Sequence, residues 1–200
     1  MSNVAIIVAR GGSTRIPRKN LRPFFGKPIM AYSIEAAIAS RLFDNVIVST
    51  DDDEIAEIAQ QFDADVMKRP DRLAQNEIGT QEVMAHAMTI ADGYDMACCI
   101  YPTAPMMTPA DLIRGWQRLH APGTVYTMSV GTDPLQDAGQ WYWGHSWAFR
   151  EGVKLIEPHT AMIPIPFNRV IDINTQEDWD LAESMYLAWR ENTCKEWRTE

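Results

Sequence analysis

The stretch VAIIVA–RGGSTRIPRKN (residues 4–20) decides the fold. Its first six residues form a short apolar run typical of a buried strand, and a glycine-containing loop rich in arginine and lysine follows. In open α/β sheets, ligands bind beyond the carboxyl ends of the strands. Adjacent glycines let backbone N–H groups approach an anion closely, and the basic side chains supply the opposing charge. The loop therefore predicts a phosphate-binding site, with a solvated basic turn as the alternative.

The rest of the chain alternates short apolar runs with segments of helical periodicity. Strands are predicted at residues 4–9, 45–49, 63–67, 96–101, 125–130 and 140–149. Helices are predicted at residues 31–41, after caps at Thr50 and Thr80, at the Thr108-Pro109-x-Asp111 start, and after Thr175 with Asp178. This alternation predicts one α/β domain over residues 1–200, with a three-layer, Rossmann-like arrangement around a mostly parallel central sheet.

Composition restricts the classes of partner. The net charge of −9 argues against a general nucleic-acid binder, which needs a basic surface for its phosphate contacts. A local cluster can still bind one small anion, and basic residues crowd positions 10–27. No run approaches the roughly 18 apolar residues that cross a bilayer, and no basic segment precedes the first strand. Three cysteines show neither a disulfide framework nor zinc spacing. We expect a cytoplasmic protein without a membrane partner.

Two competing chemistries can be weighed from the residues. The loop is neither a P-loop nor the G-x-G-x-x-G dinucleotide fingerprint, which argues against a dinucleotide-dependent oxidoreductase. The run Asp51-Asp52-Asp53 could hold a metal ion. Acidic residues in the first turn of a helix are also favoured by its unpaired N–H groups and its dipole, and this second reading requires no ligand.

Several segments resemble one family, and they occur in that family's order along nearly the whole chain. They are the loop at 10–20, LRPFFGKP (21–28), VSTD (48–51), RP with LA (69–70 and 73–74), YPTAP (101–105), DAGQWYWG (137–144) and DINTQEDW (172–179). Together they are similar to the CMP-sialic acid synthetase family of cytidylyltransferases, which implies a nucleotidyltransferase fold. The YPTAP and DAGQWYWG segments look most like the pseudaminic acid branch, since the sialic acid branch usually has Gln where this chain has Tyr101.

The resemblance implies a reaction and roles for individual residues. The anomeric hydroxyl of a sialic-acid-like sugar acid would attack the α-phosphorus of CTP and release pyrophosphate. The implied phosphate-binding residues are Arg10, Gly11, Gly12, Ser13, Thr14, Arg15 and Lys19; Asn20, Arg69 and Thr80 would contact cytosine and ribose; Tyr101, Thr103, Gln140 and Tyr142 would line the sugar pocket; and Asp172 with Asn174 would bind Mg²⁺. Arg10, Arg15, Lys19 and Asp172 form the implied catalytic set, and no general base is evident.

Structural roles remain as alternatives for three of these residues. Asp172 lies near a helix start and could belong to its cap region. Arg69 could simply pair with a nearby acid, and Thr80 could be only a helix cap.

The chain departs from the family pattern in three places. Thr14 stands where the family usually has Lys, so one cation is missing unless Arg15 or Arg18 compensates. Asn174 stands where a second Asp is usual, which predicts weaker metal binding. Only residues 131–136 separate Val130 from Asp137, where the family usually has a longer dimerisation arm. We therefore expect a monomer or an atypical dimer. The same departures leave open a catalytically impaired nucleotide-binding protein.

Overall fold

Strands and helices alternate along the part of the chain that the structure describes. The structure is a computed structural model; it describes residues 1–132 and 136–196, with side chains through residue 192. The strands are β1 (Asn3–Val8), β2 (Pro23–Phe24), β3 (Lys27–Pro28), β4 (Asn45–Thr50), β5 (Asp65–Lys68), β6 (Met96–Ile100), β7 (Tyr126–Gly131), β8 (Asp137–His145) and β9 (Thr160–Ile165). The α-helices are α1 (Ile29–Ser40), α2 (Asp53–Gln61), α3 (Thr80–Ile90), α4 (Pro109–Leu119), α5 (Ser146–Arg150) and α6 (Gln176–Glu196).

Seven of the strands form one sheet, in the order β5-β4-β1-β6-β8-β7-β9. The central strand β1 runs parallel to both β4 and β6, with Ile6 opposite Ile47 and Cys99. Strand β5 extends this parallel set, and β8 is antiparallel to both of its neighbours, β6 and β7. Strand β9 pairs with β7 in parallel at the edge. The prediction of a mostly parallel central sheet is confirmed.

Helices cover both faces of this sheet. On one face, Ile7 packs in a cluster with Ile34 of α1 and Leu112 of α4. On the other face, its neighbour Ile6 packs with Met84 of α3 and with residues of α5. Successive side chains of a strand point to opposite faces, and both faces here are buried. This explains why β1 is apolar at nearly every position instead of alternating, and it confirms the three-layer arrangement.

Helix α6 packs on a third apolar cluster beside the sheet. Trp179 and Tyr186 of this helix surround Phe24, with ring centroids 5.5 and 5.3 Å away. Ile173 is fully buried in the same cluster. The segment that carries the predicted metal ligands is therefore fixed to the domain through its central residue.

Two helix starts were predicted correctly and two were not. Thr108 and Asp111 form a reciprocal capping box with Pro109 as the first helical residue, and Thr175 accepts a bond from the Asp178 N–H at 3.2 Å. Thr50 does not cap α2, because it is the last residue of β4; Asp52 is the cap and accepts from the Ile55 N–H.

Two other expected boundaries moved. The cap of α3 is Gly79, so Thr80 is the first helical residue and its side chain makes no cap bond. The predicted strand at 140–149 begins earlier, at Asp137, and ends at His145, where α5 starts. Strand β9 was not predicted.

The shortened connection between Val130 and Asp137 lies partly outside the described residues, since positions 133–135 are not described. Within residues 1–132 and 136–196, no helix combines the length and the apolar character that a bilayer crossing requires.

Candidate active site

Most of the predicted site residues meet at one edge of the sheet. Strands β1, β4, β5 and β6 are parallel, so their carboxyl ends lie together. The residues that directly follow these ends are the basic loop after β1, Asp51, Arg69 and Tyr101. The topology therefore places a cationic loop, a buried arginine and a tyrosine side by side, as the strand rule predicts.

The glycine loop is held against the end of β4. The Gly11 N–H donates to the Asp51 carboxylate at 3.0 Å, and the Ser13 N–H donates to the Gly11 carbonyl at 2.9 Å. A Cβ at position 11 would lie 2.5 Å from a carboxylate oxygen of Asp52, so only glycine fits there. Gly12 has open space where its Cβ would be. Asp51 thus supports the loop, Asp52 packs against it and caps α2, and Asp53 is the first residue of that helix. Among the described residues, no group of three or more His, Cys, Asp or Glu could hold a metal ion.

An open pocket of about 320 Å³, here called the loop pocket, lies at this edge. Twelve of the predicted residues line it: Arg10, Ser13, Thr14, Arg15, Lys19, Asn20, Arg69, Thr80, Tyr101, Thr103, Asp172 and Asn174. Gly12 faces an adjoining depression that shares Arg10 and Asn76 with the loop pocket. Residues more than 150 positions apart in sequence are thereby brought together.

Lys19 stands at the centre of the charges in this pocket. Its ammonium donates to the Ile173 carbonyl at 2.6 Å, which ties the loop to the segment that carries Asp172. Burial lowers the pKa of Lys19 below its ordinary value; Asp172 opposes this shift, while Arg15 and Arg10 add to it. A cation destabilised in this way by burial and by other cations is stabilised when an anion such as phosphate binds beside it.

Arg69 is a buried cation in the same pocket. Only 3% of its surface is exposed, and its guanidinium donates to the hydroxyl and the carbonyl of Ser49 at 3.2 and 2.7 Å. Among the described residues, no carboxylate lies within ion-pair distance of it. Burial lowers its pKa, and Asp51 opposes this shift. The structure therefore does not support the alternative of a simple ion pair.

Two residues of the loop are used within the protein itself. The Asn20 side chain is buried and donates to the Arg10 carbonyl at 2.9 Å, which fixes the start of the loop. Arg18 forms ion pairs with Asp52 and Glu54, on the side of α2. Arg18 is therefore not available to replace the lysine missing at position 14, and Arg15, which lines the pocket, is the remaining candidate.

Asp172 and Asn174 lie together on the pocket wall. The Asn174 amide donates to the Asp172 carboxylate at 2.6 Å, and Asp172 is exposed to solvent. The backbone N–H groups of Asn174 and Thr175 donate to Asp178 at 2.8 and 2.7 Å. Asp178, rather than Asp172, thus serves the helix start. One carboxylate and one amide fit Mg²⁺ only if phosphate oxygens complete the ligand set, which is a common arrangement for this ion.

A second pocket adjoins the first and is here called the tyrosine pocket. Its volume is about 470 Å³, and Gly79, Thr80 and Tyr101 line both pockets. The Thr80 and Tyr101 hydroxyls are 2.6 Å apart. On the far side, the Tyr142 hydroxyl donates to the Asp137 carboxylate. The sequence predicts that Thr80 contacts the nucleotide or caps a helix. In the structure its hydroxyl is instead hydrogen-bonded to Tyr101, a predicted sugar-pocket residue.

Gln140 is the predicted sugar-pocket residue that lines neither pocket. It is 3% exposed, its amide donates to the Arg169 carbonyl at 2.7 Å, and its carbonyl oxygen has no partner among the described residues. Regular strand alternation would place Gln140 on the same face as Tyr142, which lies two residues further along β8 and lines the tyrosine pocket. The pairing of β7 with β8 shifts register between Met128 and Val130, so the regular pattern is interrupted in this part of the sheet. The backbone carbonyl of Gln140 accepts a hydrogen bond from the Tyr101 N–H at 2.9 Å, so Gln140 supports the pocket indirectly.

Some pocket residues were missed by sequence reasoning. Asp137 and Lys154 line the tyrosine pocket, and Asn76 lines the loop pocket. Asp137 was within a recognised segment, and its position at the start of β8, near the carboxyl end of β6, is set by antiparallel pairing. Lys154 follows a strand and a helix whose boundary was not predicted, so no local pattern indicated it.

Comparison with known proteins gives a consistent result. The sequence pattern of one family, described as cytidylyltransferase, matches residues 4–144. A pseudaminic acid cytidylyltransferase from Campylobacter jejuni is 33% identical and is aligned over 96% of this chain and 99% of its own length. That alignment spans 230 positions, more than the 200 residues present here, so the relative carries segments that this chain lacks. An N-acylneuraminate cytidylyltransferase from Escherichia coli is 34% identical over 66% of this chain and 32% of its own length.

Solved structures show the same fold. A CMP:2-keto-3-deoxy-manno-octonic acid synthetase complexed with CTP superposes with a TM-score of 0.78 at 14% identity, over 94% of this chain and 99% of the other. A nucleotidyl transferase from Methanothermobacter superposes with a TM-score of 0.72 at 17% identity, over 94% and 98%. The predicted nucleotidyltransferase fold is confirmed.

Proposed function

Because this chain belongs to the cytidylyltransferase family, we propose that it transfers CMP from CTP to the anomeric hydroxyl of a nine-carbon keto sugar acid and releases pyrophosphate. Pseudaminic acid is the proposed sugar, on the similarity to the C. jejuni relative and on Tyr101 with its neighbouring segment. The observation that carries the proposal is the convergence of Arg10, Arg15, Lys19 and the buried Arg69 on one pocket at the carboxyl edge of the sheet.

The charges of the loop pocket suit a triphosphate. Arg10 and Arg15 supply fixed positive charge, and Lys19 supplies a cation that an added anion stabilises. Fixed donors that neutralise phosphate charge also stabilise the charge that develops as the phosphoryl group is transferred. Arg69 is held by Ser49 and pairs with no carboxylate in the part of the chain that the structure describes, so its guanidinium can donate to a carbonyl or phosphate oxygen of the nucleotide.

The adjoining pocket suits the second substrate. Transfer requires the attacking hydroxyl to lie in line with the α-phosphorus, so the two substrates must meet at a shared wall. Thr80 and Tyr101 form that wall. Tyr142 and the cation of Lys154 line the tyrosine pocket beyond it, where a sugar with a carboxylate and polar substituents would be bound.

Asp172, with Asn174 beside it, would hold Mg²⁺ together with the phosphates of CTP. When bound, the ion would supply further charge neutralisation on the phosphates. The single carboxylate predicts a metal requirement at higher concentration than a pair of carboxylates would show.

Pyrophosphate release from CTP tests the proposal. The wild-type chain is incubated with CTP, Mg²⁺ and one sugar acid, in parallel reactions with pseudaminic, legionaminic and sialic acid. We expect pyrophosphate release, with the fastest rate for pseudaminic acid. Arg10→Ala should lower the rate, whereas Arg118→Ala, an exposed arginine on α4 outside both pockets, should not. If CTP stabilises the protein against heat but no sugar acid leads to pyrophosphate release, the chain is instead a catalytically impaired nucleotide-binding protein, the alternative suggested by Thr14 and Asn174. Absence of CTP binding would overturn both.

We also propose that the chain is a monomer or an atypical dimer, because the connection between Val130 and Asp137 is short. Light scattering at low micromolar concentration tests this, and a dimer whose sugar site needs residues of both copies would contradict it.

A further inference from the structure

A series of hydroxyl groups leads from the boundary of the two pockets to one carboxylate. The Thr80 and Tyr101 hydroxyls are 2.6 Å apart. The Tyr142 ring meets the Tyr101 ring edge to face, with centroids 5.8 Å apart, and both side chains line the tyrosine pocket. The Tyr142 hydroxyl donates to the Asp137 carboxylate. Two hydrogen-bonded pairs, Thr80 with Tyr101 and Tyr142 with Asp137, therefore lie next to each other along one pocket.

The carboxylate end gives this series a direction. An ionised carboxylate only accepts hydrogen bonds, so the single proton of the Tyr142 hydroxyl is directed toward Asp137. The Tyr142 oxygen is then free to accept from Tyr101, and the Tyr101 oxygen can accept from Thr80. The other oxygen of Asp137 accepts from the Gly139 N–H at 2.9 Å, which holds the carboxylate in place. Every proton in the series can therefore point away from the loop pocket.

We propose that Asp137 is the terminal acceptor, reached through Tyr142, Tyr101 and Thr80, of the proton that the attacking sugar hydroxyl loses. This inference rests on the proposed function. As the sugar oxygen bonds to the α-phosphorus, the bond from phosphorus to the pyrophosphate oxygen breaks. The sugar proton passes to the Thr80 oxygen, each hydroxyl passes its own proton onward, and Asp137 becomes a carboxylic acid. All three hydroxyls are regenerated, and the exposed Asp137 returns its proton to water.

The tyrosines suit the role of carrier rather than of base. Burial raises the pKa of Tyr101 to about 12 and raises that of Tyr142 well above its ordinary value. A tyrosinate is therefore disfavoured, and each ring must release a proton as it receives one. Among the described residues, the charged and titratable groups near Asp137, besides the two tyrosines, are Lys154 and Glu82, which line the same pocket, and the buried thiol of Cys99 on β6.

The test compares four variants in pyrophosphate release at saturating CTP, Mg²⁺ and sugar acid. We expect Asp137→Asn and Tyr142→Phe to lower kcat roughly 100-fold, within the range typical of general base catalysis, and to leave the Kd for CTP within threefold of wild type. Asp137→Glu should restore at least a tenth of the wild-type rate. Asp53→Asn, which removes an exposed carboxylate outside both pockets, is the matched control and should leave kcat unchanged.

The conservative variant separates proton transfer from mere positioning, because Asp137→Glu restores a carboxylate whereas Asp137→Asn keeps the size and polarity of the side chain without one. A full wild-type rate in both Asp137→Asn and Tyr142→Phe would overturn the inference, and so would an Asp137→Glu rate no higher than that of Asp137→Asn. A wild-type chain that binds CTP but never releases pyrophosphate would overturn the proposed function and this inference together, whereas an active wild type with active variants would overturn the inference alone. Thermal unfolding of each variant identifies any that fail to fold, and the two substitutions at different positions provide independent measurements.

Discussion

The guanidinium of Arg169 donates to both carboxylate oxygens of Asp111, at 2.6 and 3.0 Å. The side chains are 11% and 2% exposed, so this is a largely buried ion pair. Asp111 also belongs to the capping box of α4, and Arg169 lies three residues before Asp172. The pair therefore connects the start of a core helix to the segment that carries the predicted metal ligands, and the Gln140 side chain, bonded to the Arg169 carbonyl, adds a second attachment.

Loss of this pair should be costly. Removing one partner of a buried pair typically costs about 3–5 kcal/mol. In Arg169→Met the Asp111 carboxylate keeps Arg114, a largely exposed side chain 2.6 Å away, as its remaining ion-pair partner. We therefore expect the free energy of unfolding, measured by urea denaturation, to fall by an amount at or below the lower end of that range. Arg150→Met is the matched control, because Arg150 pairs with the exposed Asp92 and its loss should change stability little. An equal effect of the two substitutions would show that the Asp111–Arg169 pair is not specifically stabilising.

The same pair predicts how stability depends on pH. Burial raises the pKa of Asp111, but hydrogen bonds from Arg169 and Thr108 outweigh it, and the net pKa lies below the ordinary value. A depressed carboxyl pKa stabilises the fold above the unfolded-state value of about 3.9, and this contribution is lost as the pH falls through the lower folded-state value. We expect wild-type stability to decline below about pH 4. The decline should be shallower in Arg169→Met, in unfolding titrations at matched ionic strength.

The order of elements and the loop pocket could be read from the sequence because their signals are local. An apolar run such as Val4–Ala9 indicates a buried strand, and Thr108 with Asp111 indicates a helix start. The strand rule then places Arg69 and Tyr101 beside the glycine loop without any structure.

The incorrect or missing predictions concern features that tertiary contacts determine. Thr50 and Asp52 are both good caps, and only the pairing of Thr50 with Lys68 extends β4 far enough to make Asp52 the cap. Strand β9 was not predicted because it contains Pro164. A proline in an apolar run argues against a strand when only the sequence is known, although it fits in an edge strand such as β9. The direction of the Gln140 side chain depends on the register of β8, which no local pattern fixes.

Arg69 should be required for nucleotide affinity rather than for folding. Its guanidinium is buried and has no carboxylate partner among the described residues, so Arg69→Met removes a costly charge and should not lower the free energy of unfolding by more than about 1 kcal/mol. The Kd for CTP, measured by calorimetry, should rise roughly 10- to 100-fold, as expected for loss of a charge-assisted hydrogen bond. Arg72→Met, at an exposed arginine nearby, is the control and should bind CTP as wild type does. Unchanged affinity in Arg69→Met would place the nucleotide elsewhere.

CTP affinity should fall at alkaline pH because Lys19 loses its positive charge there. Burial lowers the pKa of this residue in the free protein, so its positive charge is present below that pKa and is lost as the pH rises through it. We expect the Kd for CTP to rise at a pH below the ordinary lysine value of about 10.4. In Lys19→Met the affinity should be lower at neutral pH, and it should no longer change over the same alkaline range. A wild-type Kd that stays constant up to pH 10 would contradict this assignment.

The metal requirement should respond to the residue at position 174. The Asn174 amide donates to Asp172 at 2.6 Å, so an aspartate there would place two carboxylates close together. Without a cation their repulsion disfavours the site, and with Mg²⁺ the added negative charge strengthens binding. We expect Asn174→Asp to lower the Mg²⁺ concentration for half-maximal pyrophosphate release several-fold, and to let Mg²⁺·CTP stabilise the protein against heat at lower metal concentration. Asn76→Asp, which adds the same charge to another wall of the loop pocket, is the control. If both substitutions shift the metal dependence equally, the shift comes from the added negative charge in the pocket as a whole, and the residue at position 174 is not a metal ligand.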